Sequence, residues 1–202
     1  MKDRFINFLI NYIKKYNNYN DIKIEEIRYG LEGLYLTITK LVIICLVAYF
    51  LNIFKEFIIF LIFYNIIRTT SFGLHATKSW ICLISSLTVF ILAPILCKYI
   101  IIPNYMKLII GIILLLLYYK NAPADTYKRP IVSSKRRFTY KILSLIIVTI
   151  YLILSITIKD NFISNCLLLS LIVQAFIISP YVYKLFNLPY DNYKTYIKEN
   201  LV

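Results

Sequence analysis

The chain is poor in glycine, proline, histidine, tryptophan and acidic side chains. Four glycines and six prolines in 202 residues are too few for a loop-rich or collagen-like protein. A charged fraction of 16% beside 60% hydrophobic residues excludes disorder and low-complexity binding modules, which need a polar, solvated composition. The same figures exclude an ordinary cytosolic globule, which is about a quarter charged. Cysteine is sparse and scattered: Cys45, Cys82, Cys97 and Cys166 form no CxxC pair, so neither a zinc ribbon nor a disulfide scaffold is encoded. No phosphate-binding glycine loop, carboxylate pair or metal-ligand spacing occurs, so no nucleotide, metal or other cofactor is expected. Ten acidic residues stand against 23 basic ones, for a net charge of +13. In so apolar a chain that charge reads as basic loops facing an anionic membrane leaflet rather than as a nucleic-acid surface.

What the chain has in abundance is long apolar runs. A helix needs ~20 mostly apolar residues to cross a bilayer core ~30 Å thick. Blocks at 33–54, 79–102, 105–119, 140–158 and 162–185 reach or approach that length. A shorter block at 57–67 reaches it only if Arg68 snorkels and residues 69–72 continue the helix; a re-entrant segment is the alternative. The expected fold class is therefore all-α, a polytopic membrane bundle of about six transmembrane helices. Residues 4–16 place Phe5, Phe8, Leu9 and Tyr12 on one helical face with Lys14 and Lys15 trailing, which predicts an amphipathic interfacial helix and not a cleavable signal.

A single integral membrane domain then covers residues 1–202. It comprises an interfacial region at 1–30, a bundle at 33–185, a basic cytoplasmic loop at 121–139 and a cytoplasmic tail at 186–202. Lys and Arg crowd the N-terminal region, the turn holding Arg68 and Lys78, the 121–139 loop and the tail. The outer loops hold Lys55, Lys98, Lys107 and Lys159. That bias predicts an even number of spans with both termini cytoplasmic.

Residues 68–82, RTTSFGLHATKSWIC, contain the one histidine of the chain, His75, and Cys82. Ionisable groups at membrane depth are costly and tend to be functional. A cysteine beside a histidine is the minimal set for thiol nucleophilic catalysis; the plain alternative is a capping histidine and a lipid-packed thiol. On an unbroken helix the two Cα atoms would lie about 10 Å apart, with His75 leaning away from Cys82. The chain must therefore break, and Gly73 is placed to allow it. With Ser79 as N-cap of the next helix, Cys82 falls in its first turn, where the dipole and free amides favour a thiolate; Thr77 is the competing cap. Arg68 could orient a substrate carbonyl or carboxylate, or simply snorkel from a helix end. Glu25, Glu26 and Glu32 lie near the same face, and one of them could orient His75 or pair with Arg68. Cys45, Cys97 and Cys166 read as packing residues.

Three segments carry a family resemblance: Arg28-Tyr29-Gly30-Leu31-Glu32-Gly33 with Lys40; Arg68 with Phe72-Gly73-Leu74-His75-Ala76 and Cys82; and Asn121-Ala122-Pro123-Ala124-Asp125-Thr126 with Pro130 and Lys135-Arg136-Arg137. Together they make the chain resemble the accessory gene regulator B family, membrane peptidases of Gram-positive quorum sensing. Many members carry a glycine pair before the histidine, and here Phe72 takes the first place. The resemblance implies Cys82 as nucleophile and His75 as base, with Arg68 and Gly73 supporting; Ser79 joins them as the N-cap expected from the helix start. It implies a multi-pass protein of the cell membrane with its active site at the cytoplasmic face, and it suggests a homodimer. The implied activity is a cysteine endopeptidase that removes the C-terminal tail of a signal propeptide through an acyl-thioester and promotes cyclisation to a thiolactone or lactone. The basic residues Lys128, Arg129, Lys135, Arg136 and Arg137, together with Glu32, are candidate substrate contacts; topogenic charge is the plain reading of the basic set. The competing class is a peptide exporter in which His75 and Cys82 are incidental, although no internal repeat supports it.

Overall fold

The computed structural model describes residues 2–17, 19–74, 79–126 and 130–200. The chain divides into two compact units, Met1–Phe50 and Leu51–Val202.

The first unit is a pair of helices, α1 (Lys2–Tyr16) and α2 (Asp21–Phe50). α1 packs on α2 through Ile6 and Ile10, which close over Ile24 and Leu31. Phe5, Phe8 and Tyr12 stay exposed, so α1 keeps the apolar outer face that an interfacial helix needs. Lys2 pairs with Glu32 at 3.3 Å, and Arg28 donates to the Asn7 side chain at 2.8 Å. α2 begins well before the expected apolar block and ends at Phe50, followed by Asn52 at φ 56°.

The second unit holds α3 (Phe54–Ser71), α4 (Ser79–Tyr99), α5 (Asn104–Asn121), α6 (Ser134–Thr157), α7 (Asn161–Ile177), α8 (Pro180–Leu185) and α9 (Asn192–Asn200). α7 is the central rod, packed by α3, α4, α5 and α6. Leu167, Leu168 and Leu171 are sealed against Leu114, Tyr118, Val148 and Tyr151, while Cys166 meets Cys97, Phe60 and Tyr64 on another side. Buried polar groups reach across helices to find partners. The Tyr118 hydroxyl donates to the Leu171 carbonyl at 3.1 Å, and the Asn165 amide donates to the carbonyls of Cys97 and Ile100 at the end of α4. Where Gly111 lies on α5, an added Cβ would come within 2.9 Å of Leu152 on α6, so the absent side chain lets these two helices close up.

By length and composition, three helices among the described residues could cross a membrane, Asp21–Phe50, Trp80–Tyr99 and Ser134–Thr157, fewer than the six expected. The other three expected blocks form helices that fall short for separate reasons. α3 carries Lys55, Glu56 and Arg68, and α5 carries Lys107 and Lys120 with polar ends. α7 stops at Ile177 because the chain turns through Ile178 and Ser179 into Pro180, and the residue before a proline resists helical geometry. Lys107, read as an outer-loop charge, is instead buried, with its ammonium on the Ser155 carbonyl and the Ser164 hydroxyl at 3.2 and 2.5 Å.

The basic run Lys135-Arg136-Arg137, expected in a loop, forms the first turn of α6, capped by Ser133. Among the described residues the nearest approach to a strand is an isolated parallel bridge between Phe72 and Ala124.

Asp125 ties the loop after α5 to the C-terminal segment. Its buried carboxylate accepts from the backbone amides of Asn192 and Tyr193 at 3.0 and 2.9 Å and from that of Ile131 at 3.3 Å. It therefore caps the start of α9 from a distance. Its carbonyl accepts the Tyr183 hydroxyl at 2.9 Å; burial, with the Asp125 charge beside it, drives that phenol well above its ordinary pKa and keeps it a donor. Replacing the carboxylate strands buried donors, so Asp125→Ala is expected to cost about 2 kcal/mol. A lower melting temperature in detergent and faster proteolysis of the tail beyond Leu188 would register the loss.

Candidate active site

The site forms where α3 ends. Phe72 donates its amide to the Arg68 carbonyl at 3.0 Å and takes φ 55°, ψ −126°. This is the place where the resemblance expects a glycine, and the backbone has kept a glycine-like conformation that costs a larger residue ~1–3 kcal/mol. The Phe72 ring is held edge-on to Tyr140 of α6, with centroids 4.8 Å apart. Gly73 follows at φ 112°, and its amide donates to the Ala124 carbonyl at 2.8 Å. The Ala124 amide returns a bond to the Ser71 carbonyl at 3.0 Å, and the Leu74 amide meets the Ile177 carbonyl at 3.4 Å. The helix break anticipated at Gly73 is thus realised and stitched to two other segments. Leu74 is the last described residue before His75, which lies outside the described residues, as do Lys128 and Arg129.

Arg68 turns inward from the last turn of α3. Its guanidinium donates to the Tyr64 hydroxyl at 2.9 Å, to the Gln174 side-chain oxygen at 3.4 Å and to the Leu74 carbonyl at 3.2 Å. The polar end thus meets neutral partners within the bundle. Glu26 and Glu32, candidates for pairing with it, are engaged by Lys23 and Lys2 within the first unit.

Cys82 is half-buried in the first turn of α4. Ser79 is itself helical, so the register capped by Ser79 is not adopted; the competing cap Thr77 lies outside the described residues. The Cys82 helix packs on α3, with the Phe90 ring of α4 edge-on to Tyr64 at 5.3 Å. The helix that carries the nucleophile candidate is therefore packed on the helix that carries Arg68. Cys97 and Cys166 are buried in the core, as packing residues should be.

A cavity of about 790 Å³ opens beside this turn, lined by Arg68, Phe72, Gly73, Ala124, Asp125, Ile131, Arg136 and Tyr140 among others. That volume is in the range of peptide- and ligand-sized pockets. Its two arginines have unspent donors, whereas the Asp125 carboxylate is occupied by backbone amides, so the cavity favours a carbonyl-rich or anionic chain. The neighbouring Arg137 is committed elsewhere: it donates to the carbonyls of Ile131 and Val132 at 2.8 and 2.7 Å and lies over the Tyr193 ring at 3.9 Å. Gln174, Tyr64 and Asn192 were not singled out from sequence; a polar Gln174 in the apolar run of α7 was the available signal. Among the described residues no group of three or more His, Cys, Asp or Glu side chains is arranged to hold a metal ion.

At Gly73 a Cβ would sit 2.8 Å from the Ile177 methyl and 3.3 Å from the Ile177 carbonyl, in a backbone region that side chains avoid. Gly73→Ala is expected to destabilise the turn by about 1–3 kcal/mol, read as a lower melting temperature in detergent.

Comparison with known proteins gives a consistent match. The family model described as Accessory gene regulator B matches residues 6–178. An AgrB-like protein of Clostridium acetobutylicum is 34% identical over 181 residues, spanning 90% of this chain and 87% of that protein. Accessory gene regulator protein B of Staphylococcus aureus strain MW2 is 34% identical over 185 residues, 90% of this chain and 96% of its own length. An AgrB-like protein of Listeria innocua is 30% identical over 171 residues, 85% and 84% of the two chains. No solved structure matches. The apolar helices, the break at Gly73 and a match across most of the sequence lead to one conclusion: the chain belongs to the accessory gene regulator B family.

Proposed function

We propose that the chain is a membrane cysteine endopeptidase that trims a signal propeptide in quorum sensing and closes it into a ring. The observation that carries this reading is a peptide-sized cavity lined by Arg68 and by the Phe72–Gly73 turn, a turn that leads in sequence to His75 and to the helix that holds Cys82 in its first turn. Cysteine supplies the nucleophile, histidine the base, and the arginine an anchor for carbonyl or carboxylate oxygen.

In this mechanism His75 takes the Cys82 proton and the thiolate attacks the scissile carbonyl. Collapse of the tetrahedral adduct breaks the peptide bond, and His75 returns the proton to the departing amine of the C-terminal tail. The retained part is held as an acyl-thioester. An internal cysteine of the bound precursor then gives its proton to His75 and attacks the same carbonyl, expelling Cys82 as thiolate and closing a thiolactone. A serine at that position gives a lactone. The thioester-for-thioester exchange conserves the activation of the acyl group, and tail release pulls the sequence forward. The apolar edge formed by Phe72 and Tyr140 disfavours the competing hydrolysis.

The propeptide and the lipid bilayer are the partners on this reading, a homodimer is the proposed assembly, and the termini and site face the cytoplasm. Lys128, Arg129 and Lys135 are proposed to assist Arg136 in drawing in the acidic end of the substrate.

Coexpression with a short precursor bearing an amphipathic start, an internal cysteine and an acidic tail tests the chemistry. Mass spectrometry should find the trimmed, cyclised peptide with the native chain and neither product with Cys82→Ala or His75→Ala, a drop of at least about 10³-fold. Full processing by the Cys82→Ala chain would refute the assignment and leave export as the reading. Because Arg136 lines the cavity and Arg137 clamps the loop, Arg136→Gln should raise KM several-fold with the melting temperature unchanged. Arg137→Gln should instead lower the melting temperature.

A further inference from the structure

Gln174 is the residue in this site whose chemistry is hardest to replace. It sits on α7 in an otherwise apolar stretch, fully buried, yet each polar atom of its side chain is engaged. The amide nitrogen donates to the Ser71 hydroxyl at 2.7 Å and to the Phe72 carbonyl at 2.5 Å, and the amide oxygen accepts from Arg68 at 3.4 Å. The orientation of the amide follows from its partners. Ser71 already donates its proton to the Ile67 carbonyl, so towards Gln174 it can act only as an acceptor. A carbonyl can only accept and a guanidinium can only donate. The position therefore needs a side chain that donates twice on one side and accepts on the other, as a primary amide of this length does. A carboxylate cannot donate, and an apolar side chain of the same length can do neither.

The three partners belong to the two functions of the site. Arg68 lines the cavity. Ser71 and Phe72 form the turn that delivers the chain through Gly73 and Leu74 to His75. Gln174 does not line the cavity itself, so its effect on the reaction passes through others. We propose that Gln174 is a positioning residue that holds the Arg68 guanidinium and the start of the His75-bearing segment in one register. This inference rests on the peptidase reading given above, because it assigns Gln174 to the alignment of that reading's base and anchor.

The test uses the full chain in membranes, with rates expressed per molecule of protein that extracts folded. Gln174→Met keeps the length and removes all three hydrogen bonds; Gln174→Glu keeps the attraction to Arg68 and removes the donation to Ser71 and Phe72. Both are expected to lower the cleavage rate constant by tenfold or more. They are also expected to slow alkylation of Cys82 by iodoacetamide at pH 7, in the absence of peptide, to the level of His75→Ala. In a His75→Ala background, Gln174→Met should slow alkylation no further, since both changes remove the same alignment. A purely structural role would reduce only the amount of folded protein, and this outcome overturns the proposal. Wild-type rates per folded molecule, or effects of Gln174→Met and His75→Ala that multiply, also overturn it. If Gln174→Met does not accumulate, Gln174→Glu is read by the same criteria. An inactive His75→Ala beside a fully active Gln174 variant rejects this inference and leaves the peptidase reading standing; a fully active His75→Ala rejects both.

Discussion

Unwound backbone in an apolar bundle must find its hydrogen-bond partners inside the protein, because lipid offers none and each orphaned group costs several kcal/mol. The stretch after Ser71 meets this demand with three segments at once. Gly73 pairs with Ala124 and Leu74 with Ile177, Ala124 pairs back to Ser71, and the Phe72 carbonyl takes its bond from Gln174. The end of α3, the loop after α5 and the end of α7 are held together by this exchange. The cavity is walled by α3 and its end, the loop after α5 and the start of α6, and Arg68 faces inward because the junction supplies acceptors for its guanidinium. Disturbing the junction would therefore disturb pocket, anchor and chain direction together.

The charges around the cavity divide into those that are spent and those that are free. Asp125 is acidic, but its oxygens are taken by the amides of Ile131, Asn192 and Tyr193. Arg137 is basic, but it holds the loop carbonyls and stacks on Tyr193. Arg68 and Arg136 retain donors towards the cavity, which gives it a positive interior. The tail from Tyr183 to Tyr193 belongs to this arrangement because it braces the cavity wall from behind. Burial, with help from Asp191 and Asp125, pushes the Tyr190 phenol up to about 12, so the brace stays protonated at any physiological pH.

Much of the helical layout was legible from apolar runs, and its errors are instructive. The blocks found by hydropathy correspond to helices α2 to α7, yet three of these among the described residues combine length and composition sufficient to span a membrane. Hydropathy registers side chains without knowing their neighbours. α7 can be short and still deeply buried because other helices, rather than lipid, surround it. Lys107 looked like a loop charge because nothing in the sequence reveals that Ser155 and Ser164 wait across the bundle to receive its ammonium. The kinship with the regulator B family was legible because its motif residues are contiguous or closely spaced.

The sequence by itself determined that the chain is an apolar helical protein with a break at Gly73, because composition, run length and a lone glycine before His75 are local properties. It also marked Cys82, His75 and Arg68 as candidates for the chemistry. Tertiary structure alone decided that Arg68 turns inward, that Asp125 caps a helix far along the chain, and that Gln174 joins the two sides of the site. Each of these rests on a hydrogen bond between residues far apart in sequence, such as the 106 positions between Arg68 and Gln174. Such partners have no periodicity or spacing to announce them; they meet only when the packing of α7 brings them together.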